Sequence, residues 1–138
     1  MRALLRVSVT VFSLLVVACG PAGGLEDGGS TSNVMPSECT LSAMVAENMV
    51  AGTKVGSASG SLTCPRSAQL DLTVCLQSSM TMTFTDGMCA TGSGTNTTIS
   101  RSTEAAFAGT RNVRTVVRGK VNGVDLTEKV SNVISIVR

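Results

Sequence analysis

Histidine, tryptophan and tyrosine are absent from the chain, and phenylalanine occurs only three times. Each absence removes a class of chemistry. Without histidine there is no Ser-His-Asp triad, no Cys-His nucleophile pair and no imidazole metal ligand. Without tryptophan and tyrosine there are no strong stacking platforms for sugars or bases. Charge is also scarce: charged residues make up 14% of the sequence, and the formal net charge is +2, too small for a nucleic-acid partner.

What is present begins with an uneven set of five cysteines, Cys19, Cys39, Cys64, Cys75 and Cys89. An odd count in a secreted chain leaves one thiol needing another explanation. Cys19 is the outlier by its surroundings. It follows "MRALLRVSVTVFSLLVVA", in which Arg2 and Arg6 precede an apolar run from Val7 to Val17. That run is within the signal-peptide range and well short of the roughly 20 residues that span a bilayer. The glycine-rich text that follows offers nothing for a buried strand or helix to pack on.

The residues Val16-Val17-Ala18-Cys19 resemble the lipobox of bacterial lipoprotein signal peptides. The resemblance implies cleavage before Cys19, a diacylglyceryl group on its sulfur and an acylated amino terminus. A thiol is required because only it is nucleophilic enough to form the thioether. Several acyl chains make a stable anchor where one would be reversible. Residues 1–18 are therefore expected to be a discarded signal, and the partner of Cys19 a membrane. Gly20 stands where an aspartate would favour inner-membrane retention, so the outer membrane is favoured where the envelope has one. Loss of Arg2 and Arg6 leaves nine basic residues facing nine acidic ones. The balance is uneven along the chain, with the basic excess after Arg101, and reads as ordinary solvated strands.

Residues 19–37, "CGPAGGLEDGGSTSNVMPS", are rich in Gly, Ser and Pro and read as a lipidated terminus followed by a flexible tether. A coil of this length has a root-mean-square reach of about 23–25 Å, enough to hold a domain clear of lipid headgroups. Residues 38–138 are rich in Val, Thr and Ser with recurring period-two alternation. Leu70, Leu72, Val74 and Leu76 share one face, as do Val113, Thr115, Val117, Gly119 and Val121, and Met80, Met82 and Phe84 continue the pattern. Asp86-Gly87 and Asn122-Gly123 are hairpin turn signals. No window carries a helical period. The expected fold is all-β, a small antiparallel β-sandwich.

Four cysteines remain for that body, and spacing alone allows three pairings. If Ala51-Gly52 turns a hairpin without a bulge, positions 39 and 64 lie opposite one another, which favours Cys39–Cys64 and leaves Cys75–Cys89. The stretches "LTVCLQ", "CA" and "GTRNVRTVVRGKVNG" are also similar to small immunoglobulin-like β-sandwich modules in secreted proteins of high-GC bacteria. That resemblance implies binding or scaffolding. Thr110 and Arg111 stand where such modules often carry an aromatic, so a tyrosine corner is not expected.

The sharpest chemical alternative is copper. Met80 and Met82 project on one face of an extended segment, and Cu(I) favours thioether donors. Against this, Met80, Met82 and Phe84 together read as the inward face of a strand, with methionine filling gaps. "TGSGTNTT", Thr91 to Thr98, lacks the lysine and helix of a phosphate loop and reads as a loop between strands. "GSASGS", Gly56 to Ser61, has no base to activate its serines and reads as a loosely packed or edge strand. Asp71, Asp86, Glu104, Asp125 and Glu128 show no spacing that selects an acid–base pair. The sequence therefore reads as a lipid-anchored envelope module of structural or interaction type. It is not an enzyme on this reading, implies no cofactor and no nucleic acid, and has soft-metal carriage through Met80 and Met82 as the alternative.

Overall fold

A computed structural model of the chain describes residues 33–138. The expected signal sequence, the expected lipobox with Cys19 and most of the expected tether lie outside the described residues. A single 3-10 turn, Pro36–Glu38, leads into seven strands: β1 (Thr40–Val50), β2 (Thr53–Ser79), β3 (Thr85–Ala106), β4 (Arg111–Val121), β5 (Val124–Asp125), β6 (Lys129–Val130) and β7 (Ile134–Ile136). All strand pairings are antiparallel.

Local chemistry sets two of the reversals. Ala51 and Gly52 carry φ of 48° and 76°, and Asn122 and Gly123 carry 50° and 81°. Two successive positive φ values make the tight turns whose twist suits a hairpin. The first puts Thr40 opposite Thr63 and Val50 opposite Thr53; the second puts Val121 opposite Val124.

Two strands run through both layers of the sandwich. The first half of β2 lies between β1 and the later part of β3; its second half lies between β4 and the earlier part of β3. The change occurs between Thr63 and Ala68, where the β2–β3 register slips around Pro65. Proline cannot donate to a ladder, so it belongs at such an irregularity. The result is the all-β sandwich that the alternation predicts. Leu62, Leu70, Leu72, Val74, Leu76, Val113, Val117, Val121 and Ile136 fill the space between layers, each almost fully buried.

Glycines on the inner face let the layers approach. A Cβ on Gly60 would collide with Val117 of β4 and lie 3.0 Å from both Val74 Cγ2 and the Ser42 carbonyl oxygen. A Cβ on Gly56 would lie 2.9 Å from Ile136 Cδ1, and one on Gly119 2.9 Å from Leu41 Cδ2. On one side the layers are clasped by a side chain: the fully buried Thr115 donates its hydroxyl to the Met44 carbonyl of β1 at 2.6 Å.

Four expectations are corrected. Asp86-Gly87 is not a turn but part of β3, with Asp86 opposite Gln77; the reversal uses Met80 to Phe84, with Met82 at φ 69°. Gly87 serves the register shift between Cys75 and Gln77, where a Cβ would come 3.0 Å from the Leu76 carbonyl oxygen. Thr91 to Thr98 is strand rather than loop, at the place where β3 passes from one layer to the other. Gly56 to Ser61 is not an edge but lies between β1 and β3, its small residues turned inward to receive Val117 and Ile136. Finally, Val34 is buried in the core cluster, so the folded body begins by Val34 and takes in the end of the segment expected to be tether.

Candidate functional site

The outer face of the β3–β2–β4 layer carries a connected polar network. Strand pleating turns Cys75 and Gln77 of β2 away from the core, beside Cys89 and Asp86 of β3 and near Arg114 and Arg118 of β4. Arg114 Nε donates to Gln77 Oε1 at 2.7 Å, and Gln77 Nε2 donates to Asp86 Oδ1 at 2.7 Å. Arg118 Nη1 donates to Asp86 Oδ2 at 3.0 Å, and its Nε donates to Glu128 Oε2 at 3.2 Å. The Arg114 guanidinium also stacks 4.3 Å from the centre of the Phe84 ring.

Hydrogen bonds to the ionised form lower a carboxyl pKa. The Gln77 amide, and then Arg118, hold Asp86 below the usual carboxylate value, against a smaller opposing effect of burial. Asp86 in turn raises Arg118. A lowered carboxylate stabilises the fold above its unfolded pKa, and that stabilisation is lost as pH falls through the lowered value. Asp86→Asn is therefore expected to flatten the acid limb of the stability profile below about pH 4, read as thermal midpoint against pH. An unchanged acid limb would remove Asp86 as its source.

The structure joins Cys39 to Cys64 and Cys75 to Cys89. The second bridge adjoins the network, with Arg118 Nη1 at 3.8 Å from Cys75 Sγ. Cys75, Asp86 and Cys89 place one ligand atom each within 4.8 Å of one another. While the two sulfurs are bonded together neither is a thiolate, so this trio is no soft-metal site in the disulfide form.

Met80 and Met82 are not core residues. They sit in the β2–β3 reversal with 71% and 74% of their surface exposed, which overturns the reading that they line an inward strand face. The alternation runs on through the sequence, but the ladder stops at Ser78 opposite Thr85. All six described methionines are exposed.

Of the carboxylates, the fold brings Asp86 and Glu128 to one guanidinium, that of Arg118. Gln77, Arg114 and Arg118 were not singled out by sequence; their only signal is the outward half of the alternation. The opposite layer presents a hydroxyl-lined groove of Ser42, Ser59, Ser61, Ser100 and Ser102, with Met44 and Arg101. Ser42 and Ser61 hydrogen-bond each other at 2.7 Å. No base lies among these residues to activate a serine.

One edge is open. β3 pairs with β2 alone along its length, and it contains neither proline nor lysine, the usual edge guards. At its middle, Arg101 lies over Gly92, donating Nε to the Thr91 carbonyl at 3.0 Å and Nη1 to the Ser100 carbonyl at 2.7 Å.

A scan of protein-family models finds no match to the chain, and a search of curated proteins finds none either. Among solved structures, the chain is similar to the solution structure of R. palustris CsgH, with a TM-score of 0.41 and 10% sequence identity, over 63% of this chain and 87% of that one.

Proposed function

We propose that this protein is a bacterial envelope lipoprotein, anchored through Cys19, whose β-sandwich is a non-enzymatic interaction module. It receives an extended segment of another envelope protein along β3. The observation that carries the interaction reading is the 22-residue β3 strand, twice the length of the other free edge β1 and paired on one side only among the described residues. A free edge offers a row of backbone donors and acceptors, and an added strand satisfies them while alternate side chains select the partner. The lipobox Val16-Val17-Ala18-Cys19 supports the anchor, with the domain facing the periplasm or the exterior.

Cys19→Ser is expected to move the protein from the membrane to the soluble fraction and to abolish an acyl mass on the mature amino terminus. Unchanged fractionation without any acyl mass on the wild-type terminus would overturn the anchor. For the edge, a photo-crosslinking residue at Ser93 of β3 should capture the partner in cells, whereas one at Lys54, beside the β1–β2 turn, should not. Equal capture at both sites would count against strand addition.

The exposure of Met80 and Met82 favours a second reading, soft-metal carriage, because both thioethers are free to meet a Cu(I) ion. Cu(I) titration separates the two. Binding of about micromolar strength or weaker, unaltered by Met80→Leu with Met82→Leu, would end the carrier reading.

A further inference from the structure

The two disulfides differ in what an incoming thiolate would meet. Cys89 is exposed on the open edge strand β3, whereas Cys75 is 1% exposed on the central strand β2. The buried sulfur of this bridge has a cation beside it, Arg118 Nη1 at 3.8 Å. In the other bridge Cys64 is buried and Cys39 half-buried, and Cys39 Sγ lies 3.8 Å from the Met35 carbonyl oxygen, a dipole that disfavours negative charge on the sulfur.

From this asymmetry we infer that Cys75–Cys89 is an exchangeable disulfide, reduced by a dithiol that attacks Cys89 and releases Cys75 as the thiolate beside Arg118. One thiolate of the reductant bonds to Cys89 Sγ. The Cys75–Cys89 bond breaks, and its electron pair stays on Cys75 Sγ. The reductant's second thiolate then attacks the mixed disulfide, closing its own disulfide and releasing Cys89 as a thiolate. Two electrons pass to the protein, and solvent protonates the sulfurs according to their pKa values. Exchange is faster when the leaving thiolate is stabilised. Asp86 opposes the step: its carboxylate lies within 4.8 Å of both sulfurs and, with Glu128, engages the same guanidinium. Arg118 and Asp86 therefore act with opposite sign. The β2–β3 ladder on both sides of the bridge persists when the sulfurs part, so opening it frees two thiols without dismantling the sheet.

The test uses the full chain carrying Cys19→Ser, so that only the two bridges react. It is exposed to dithiothreitol for graded times, alkylated, and mapped by peptide mass spectrometry. Cys75 and Cys89 should be labelled about tenfold faster than Cys39 and Cys64, and trapping with glutathione should give the mixed disulfide on Cys89. Arg118→Gln should slow reduction about threefold or more, Arg118→Lys should restore most of the rate, and Asp86→Asn should accelerate it. If the bridge were governed by local packing alone, Arg118→Gln and Asp86→Asn would both loosen it and both speed reduction. That result, an unchanged rate in Arg118→Gln, earlier opening of Cys39–Cys64, or glutathione on Cys75 would each overturn the inference.

Discussion

Gly60→Val is expected to be the most damaging single substitution in the sandwich interior. The position lies on β2 between β1 and β3, so its backbone is held on both sides. A Cβ there would strike Val117 Cγ2 of the facing layer and press on Val74 Cγ2 and the Ser42 carbonyl oxygen, each at 3.0 Å. Two of these three neighbours are fully buried side chains with nowhere to withdraw, and the third is backbone. Overpacking a well-filled core costs about 1–3 kcal/mol and sometimes more. Valine adds two further methyls, so a loss at or above the upper end of that range is expected, with alanine intermediate. Against a stability of roughly 5–15 kcal/mol for a domain of this kind, that is a large fraction. The urea midpoint measures it. Gly94→Ala is the control, since a Cβ there meets nothing within 4 Å. Equal midpoints for Gly60→Val and the wild type would mean that the layers are not in contact at this point.

Leu62→Ala should follow closely, by the opposite mechanism. Leu62 is fully buried, and its Cδ2 reaches to within 3.2 Å of where a Cβ on Gly119 would stand. Removing it opens a cavity between layers that the surrounding β-ladder cannot collapse to fill. Leucine-to-alanine changes in cores cost about 2–5 kcal/mol. The informative comparison is Met80→Ala, a truncation of similar size at a site that is 71% exposed; it should stay within about 0.5 kcal/mol of wild type. A costly Met80→Ala together with a tolerated Leu62→Ala would place the core on the wrong residues.

That comparison also shows what was legible in the sequence and what was not. The faces of Leu70 to Leu76 and of Val113 to Val121 could be read because both segments sit in uninterrupted ladders, where a period of two holds from residue to residue. The turns at Ala51-Gly52 and Asn122-Gly123 could be read because their positive φ values are a local matter. Met80 and Met82 continue the same alternation past the end of the ladder, and nothing in their side chains marks where pairing stops. Asp86-Gly87 imitates a turn because the pair suits a turn and a register shift equally well; the choice belongs to Cys75–Cys89 and Gln77–Asp86 across the strands. Small residues at Gly56 to Ser61 resemble loose packing until the facing residues Val117 and Ile136 are known. The polar network was illegible for the same reason. Gln77, Asp86, Arg114 and Glu128 come from four stretches of chain that only the sheet brings together.

Ile136 imposes an order on events that no static description of the sandwich conveys. It is fully buried, held opposite Arg111 in the β4–β7 pairing, and it faces Gly56 of a strand that is made some eighty residues earlier. A chain delivered amino end first, whether from a ribosome or through a membrane, can close the β1–β2 hairpin early but lacks this plug until position 136 has emerged. Contacts so distant in sequence make folding slow and leave apolar surface uncovered meanwhile. The vulnerable interval of the sandwich is therefore set by the arrival of Ile136, and a helper that shields the open layers would act on the chain during that interval.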